Sequence, residues 1–181
     1  VNGVAKEEVY MGSNTGAAYL TEAVRVLRQY KTMADRAVAQ LEPDAIFDVL
    51  DDESNSIAVI MQHMAGNMRS RWTDFLTSDG EKPNRNRDAE FEMPAGTTAA
   101  DVQRSWEHGW SVTLAAVEAL TPADLDGEVR IRNEPHSVLQ AVSRQLTHYA
   151  YHVGQIVLLA KHQQGSAWQT LSIPRRKPAA S

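Results

Sequence analysis

Residues 137–164, SVLQAVSRQLTHYAYHVGQIVLLAKHQQ, decide the fold of this chain. Ser137 followed three residues later by Gln140 is a capping box, the signature of a helix start, and the helical pattern runs on to about Gln164. Leu139, Val142, Leu146, Val153 and Ile156 fall on one arc of a helical wheel, while Ser143, Thr147, Gly154 and Lys161 fall on the opposite one. His148 and His152 lie beside the apolar arc, with Ala141, Gln145, Gln155 and Leu159. Side chains at i and i+4 share a helix face. The two imidazoles therefore face the interior or its rim, not open solvent.

Three further helices are read outward from this one. Residues from about Ser54 to Leu76 carry Ile57, Ile60, Met61, Met64, Met68 and Trp72 on one arc, and His63 borders that stripe beside Ser56, Ile60 and Asn67. From about Ser13 to Leu41 the period is kept by Leu20, Val24, Leu27, Ala34, Val38 and Leu41, with Pro43 as a stop signal. Thr98 caps a helix with the inward stripe Val102, Trp106, Trp110, Thr113, Val117 and Leu120, ending before Thr121-Pro122. Between helices two and three lies TSDGEKPNRNRDAEFEMPAGT, residues 77–97, rich in Gly, Pro, Asn and charge. Loops this long are usually functional or crossover segments. Helix two is about 35 Å long at the helical rise, and twenty extended residues reach about 66 Å, so this loop can return along the helices and leave two and three parallel. DGEVRIRNEP, residues 126–135, alternates Val129 and Ile131 with polar residues, as a short hairpin or extended piece would. Trp168, Leu171 and Ile173 are expected to pack over a helix end, with a flexible tail over about 174–181. The sum is an all-α chain, residues 1–181 as a single domain.

Composition narrows the function. The 181 residues carry 18 Lys+Arg against 23 Asp+Glu, a formal net charge of −5, which argues against a nucleic-acid binder. The short basic runs at Arg85–Arg87 and Arg175–Lys177 read as solvated loop and tail. With no cysteine, disulfides, thiolate ligands and a cysteine nucleophile are excluded within the chain. No apolar run reaches the roughly 18 residues a membrane span needs, and VNGVAKEEVY lacks the layout of a signal peptide. A cytoplasmic protein with no membrane partner is expected.

His148 and His152 on one helix, with His63 on another, form the ligand set of an open metal site. Three neutral imidazoles suit zinc, nickel, copper or iron and leave a position for water or substrate. Gln145, Gln155, Ser56 and Asn67 are placed to accept the imidazoles' other N–H. The plain alternative is a set of buried, hydrogen-bonded core histidines, and both readings stay open at this point. His108, His136 and His162 read as surface or loop residues. A zincin protease is excluded, because the residue after the first histidine of the pair is Tyr149 and not the Glu that mechanism needs. Trp106, Trp110 and the Met stripe read as core. Arg144, one turn before His148, is either an ion-pair partner, the commoner role, or an anchor for an anionic substrate. No P-loop, dinucleotide fingerprint or G-x-S-x-G motif is present. No acidic residue is tied to the histidines by spacing, so no general base can be named.

A histidine in IMQHMAGNMRSRW together with the pair in LTHYAYHVGQIVLLAKH resembles the DinB/YfiT-like superfamily. RNRDAEF and WQTLSIPR resemble its domain-of-unknown-function branch, from which the chain departs at Arg176, where Gly is expected. The resemblance implies a DinB-like four-helix bundle with a long crossover between helices two and three. It also implies a metal triad of His63, His148 and His152 and a homodimer. The metal would be zinc or nickel, with iron or manganese as further candidates. The implied activity is a metal-dependent transferase acting on a small molecule, with a low-molecular-weight thiol as partner, or a hydrolase. A non-catalytic metal-binding stress-response dimer is the competing expectation.

Overall fold

The computed structural model of the protein describes residues 4–173, with side chains from residue 15 onward. The tail over about 174–181, including Arg175–Lys177, lies outside the described residues. Four long helices dominate: α1 (Val4–Val38), α2 (Ile57–Trp72), α3 (Ala99–Glu118) and α4 (Val138–Gln164). Single 3₁₀ turns lie at Pro43–Phe47, Asp88–Phe91, Pro122–Asp124 and Gly165–Ala167, and β1 (Glu128–Ile131) pairs antiparallel with β2 (Glu134–Ser137). The chain is thus mainly helical with one small hairpin. No described helix is long and apolar enough to cross a membrane.

The helix starts follow from local chemistry. The Ser137 hydroxyl accepts from the Gln140 N–H at 3.1 Å, and the Gln140 side chain accepts from the Ser137 N–H at 2.9 Å. Thr98 and Asp101 close the same reciprocal box on α3, and Ser56 caps α2 through the Val59 N–H. Each cap satisfies an N–H that the helix leaves unpaired. The end of α2 differs from its apolar pattern, stopping at Trp72 rather than Leu76. Thr73 is extended and Asp74 has φ +48°, and the Asp74 carbonyl then takes both the Thr77 and Ser78 N–H groups. A local turn replaces the last helical turn.

Contacts between helices set their directions. As α1 advances from Arg28 to Asp35, its α3 partners retreat from Glu118 to Trp106, so these two helices oppose. Tyr19 bonds Leu139 and Ser143, whereas Gln40 bonds Gln169, so α1 and α4 run alike. As α2 advances from His63 to Trp72, its neighbours retreat from His152 to Tyr149, so α2 opposes α4. It follows that α2 and α3 are parallel, and residues 73–98 carry the chain back. Their close approach needs Gly109: a Cβ there would meet the Ala65 Cα at 3.0 Å.

The core joins all four helices through Leu27, Ile57, Met64, Trp106, Trp110 and Ile156. Leu139, assigned by the wheel to the inward arc, is 40% exposed. It belongs to the first turn of α4, where its carbonyl accepts from the Tyr19 hydroxyl of α1. At the other end, Trp168 and Leu171 do pack against the core, and Gln40 holds the Gln169 backbone from both sides. Ile173 does not join them; it is 92% exposed.

The connection between α2 and α3 is irregular yet heavily anchored. Gln62 donates to the carbonyls of Ala89, Glu90 and Glu92. Ser70 donates to the Gly80 carbonyl and accepts from the Lys82 N–H. Asp79 accepts from the N–H groups of Arg132 and Asn133. Those two residues form the hairpin turn, both at positive φ, 56° and 64°, as a two-residue turn of the primed kind requires.

Candidate metal centre

The helix packing brings together the three histidines named from the sequence. His63 comes from α2; His148 and His152 come from one face of α4. One ring nitrogen of each lies within 4.8 Å of those of the other two, and no other His, Asp or Glu of the described residues joins the group. The rings meet edge to face, with centroids 4.7–5.6 Å apart. His63 is buried, the α4 pair half-buried. His148 Nε2 and His152 Nε2 face each other at 3.1 Å. Without an ion between them, one must donate to the other.

The remaining ring nitrogens are anchored from outside. His63 Nδ1–H donates to Glu90 Oε2 at 2.9 Å, which leaves Nε2 as the ring nitrogen available to a ligand. His152 Nδ1–H donates to Gln155 Oε1 at 2.8 Å, and the Gln155 amide donates in turn to the Tyr151 hydroxyl. A ring whose Nδ1 carries the proton presents a basic Nε2. Phe91 stacks on His63 at 4.6 Å, with ring planes 30° apart. That contact holds the imidazole plane from the loop side.

Glu90 is itself held firmly. Arg85 grips it with two bonds of 2.7 Å, Nε to Oε1 and Nη2 to Oε2, the bidentate geometry that makes Arg–carboxylate pairs strong. Burial acts to raise the Glu90 carboxyl, but Arg85 and His63 outweigh it and keep it below the usual carboxylate range. Gly66 makes the approach possible. A Cβ there would lie 2.2 Å from Glu90 Oε1, so the carboxylate occupies space that any other residue would fill.

Burial, followed by the charges of His152 and His63, lowers His148 to about 3. Burial also lowers His152, against the opposing bond from Gln155. Both rings are therefore neutral near pH 7, the state a ligand needs.

Other expectations divide. Of the residues placed to orient the ligands, Gln155 does so. Ser56 is the α2 cap, and Asn67 receives the Tyr149 hydroxyl at 3.4 Å. Gln145 is buried with Oε1 unpartnered. Tyr149 turns into the core, where its hydroxyl accepts from the Trp72 indole N–H at 2.9 Å. His108 and His162 are exposed, and His136 is half-buried on the hairpin. Arg85 corrects the reading of its run as a solvated loop: its side chain is 5% exposed. Arg144 has no carboxylate partner among the described residues; its one polar contact is His136 Nε2 at 3.5 Å.

Glu90 is the residue that sequence reasoning missed. It stands 27 positions from His63, in a loop where no periodicity assigns a face. The available signals were an interior glycine in α2 and the dense charge of RNRDAEF.

A family model described as protein of unknown function (DUF1572) matches residues 14–177. No curated protein matches the chain.

Proposed function

The chain belongs to the DUF1572 family of proteins of unknown function, and we propose that it is a DinB-like four-helix bundle whose histidine triad holds a divalent metal for chemistry on small molecules. Zinc or nickel fits the three imidazoles best, iron or manganese next. The observation that carries the reading is the cluster itself: three ring nitrogens within 4.8 Å, with Glu90 and Gln155 orienting two of the rings. Core histidines kept only for packing have no need of such convergence. The parallel α2–α3 pair with its long return loop supports the DinB-like arrangement.

The reaction is a thiol S-transfer or a hydrolysis. When bound, the ion would lower the pKa of a thiol or water and polarise a substrate oxygen. The chain's part is to keep the His148 and His152 rings neutral and to fix the His63 and His152 rings through Glu90 and Gln155. The lack of a fourth His, Asp or Glu in the group among the described residues favours an open, catalytic site over a closed, structural one. A homodimer is part of the reading, supported by Tyr151 and Leu158 of α4, which are 62% and 64% exposed.

Elemental analysis of purified wild type and His148→Ala tests the metal. The wild type should carry close to one divalent ion per chain and the variant little; equal contents would overturn the reading. Zinc at about 100 times its dissociation constant should stabilise the wild type by about 2.7 kcal/mol and leave the variant's melting temperature unchanged. Metal-loaded protein should conjugate a thiol to an electrophile or hydrolyse an ester or amide. Turnover that survives His152→Ala would place the chemistry elsewhere.

A further inference from the structure

A cavity of about 300 Å³ opens beside His63 and His148, and five arginines line it: Arg71, Arg85, Arg87, Arg132 and Arg144. They arrive from α2, the return loop, the hairpin and α4. No Asp or Glu lines the cavity among the described residues; Asn67 and Gln145 complete the wall. In a chain of net charge −5 with 18 Lys+Arg, this is a local reversal of sign.

The neighbouring carboxylates do not balance it. Glu90 is committed to Arg85 and His63. Glu81 is divided among Arg85 at 3.1 Å, Arg132 at 3.4 Å and Arg71 at 3.8 Å. Asp88 meets Arg87 at the surface, and Asp79 is occupied by the backbone N–H groups of Glu81, Arg132 and Asn133. Arg144 is left without a carboxylate. Arg71 is 3% exposed, and its Nε and Nη1 have no hydrogen-bond partner. A buried guanidinium with unpaired donors is costly, and like charges gathered around a cavity repel. The repulsion falls when an anion enters.

We propose that this cavity is an oxyanion site, taking the carboxylate or phosphate group of the small molecule whose reactive end meets the triad. Arg144 lies one helical turn from His148, a Cβ separation of about 6 Å, so one compact ligand spans both. Planar guanidiniums match carboxylate and phosphate oxygens in pairs, which ammonium groups do not. The volume is at the small end for ligand pockets and fits a metabolite-sized anion. The anion site stands on the arginines alone; only its link to the reacting group rests on the proposed function.

Calorimetric titration of chelator-stripped protein with inorganic phosphate, and separately with succinate, tests the site at ionic strength matched with chloride. At least one should bind the wild type. The double variant Arg132→Ala/Arg144→Ala removes two exposed side chains and leaves the core untouched. It should weaken binding at least tenfold while zinc content stays at the wild-type level. Arg71→Gln should weaken it further, with circular dichroism confirming the fold. If neither anion binds, or the double variant binds as wild type does, the proposal falls and the metal reading stands. If anions bind but zinc does not, only the metal reading falls.

Discussion

Glu90 is where one side chain governs the most. Its carboxylate orients His63 and neutralises Arg85, and it fits only because residue 66 lacks a Cβ. Glu90→Gln keeps the shape but removes the charge. Metal affinity should fall about 10–100-fold, as when other groups that orient ligand histidines are lost. Stability should fall by about 3 kcal/mol, because a buried pair is broken. Competition with a chromogenic chelator and urea unfolding measure the two effects. Gly66→Ala should weaken metal binding in the same direction by displacing the carboxylate; unchanged affinity in both variants would remove Glu90 from the site. A second buried contact is independent of the metal. Tyr149→Phe leaves the Trp72 indole N–H without its acceptor, at a cost of about 1–3 kcal/mol, with zinc content unaltered.

Among the elements, the helix starts were the most legible. Ser137 and Thr98 each precede a periodic run, and each makes the bond its chemistry predicts; Ser56 was read inside helix two beside His63 and instead caps α2. Ser137→Ala should therefore destabilise the protein by about 1 kcal/mol, measured as a shift in the urea midpoint. The end of α2 was not legible, because the turn at Asp74 depends on residues beyond the helix. The return loop was visible as a long polar insertion, but its burial was not. Arg85 and Arg87 look alike in sequence, yet one is sealed against Glu90 while the other lies over the Phe91 ring. Asp79 links this loop to the hairpin. Asp79→Ala should loosen the Arg132–Asn133 turn, seen as faster amide exchange at those two residues and little change in α1.

For the whole molecule, the half-buried histidine pair ties stability to pH. Burial first, then neighbouring charge, lowers His148 from an ordinary value of 6.5 to about 3. Below about pH 6.5 the unfolded chain takes up a proton that the folded protein refuses. The stabilisation is thus complete above that pH and is lost as pH falls toward 3, by up to about 1.4 kcal/mol per unit for one such group. Partial exposure reduces the figure. The urea midpoint of metal-free protein should drop between pH 7 and 5, and His148→Ala should flatten that slope; a wild-type midpoint constant with pH would contradict it. By itself the sequence determined the four helices, the caps of α3 and α4 and the inward turn of His148 and His152, because caps and periodicity are local rules written in neighbouring residues. Only the tertiary structure decided that His63 meets the pair, that Glu90 supports it and that five arginines share one cavity. Those contacts join α2, a return loop, a hairpin and α4, and they depend on how distant segments pack against one another.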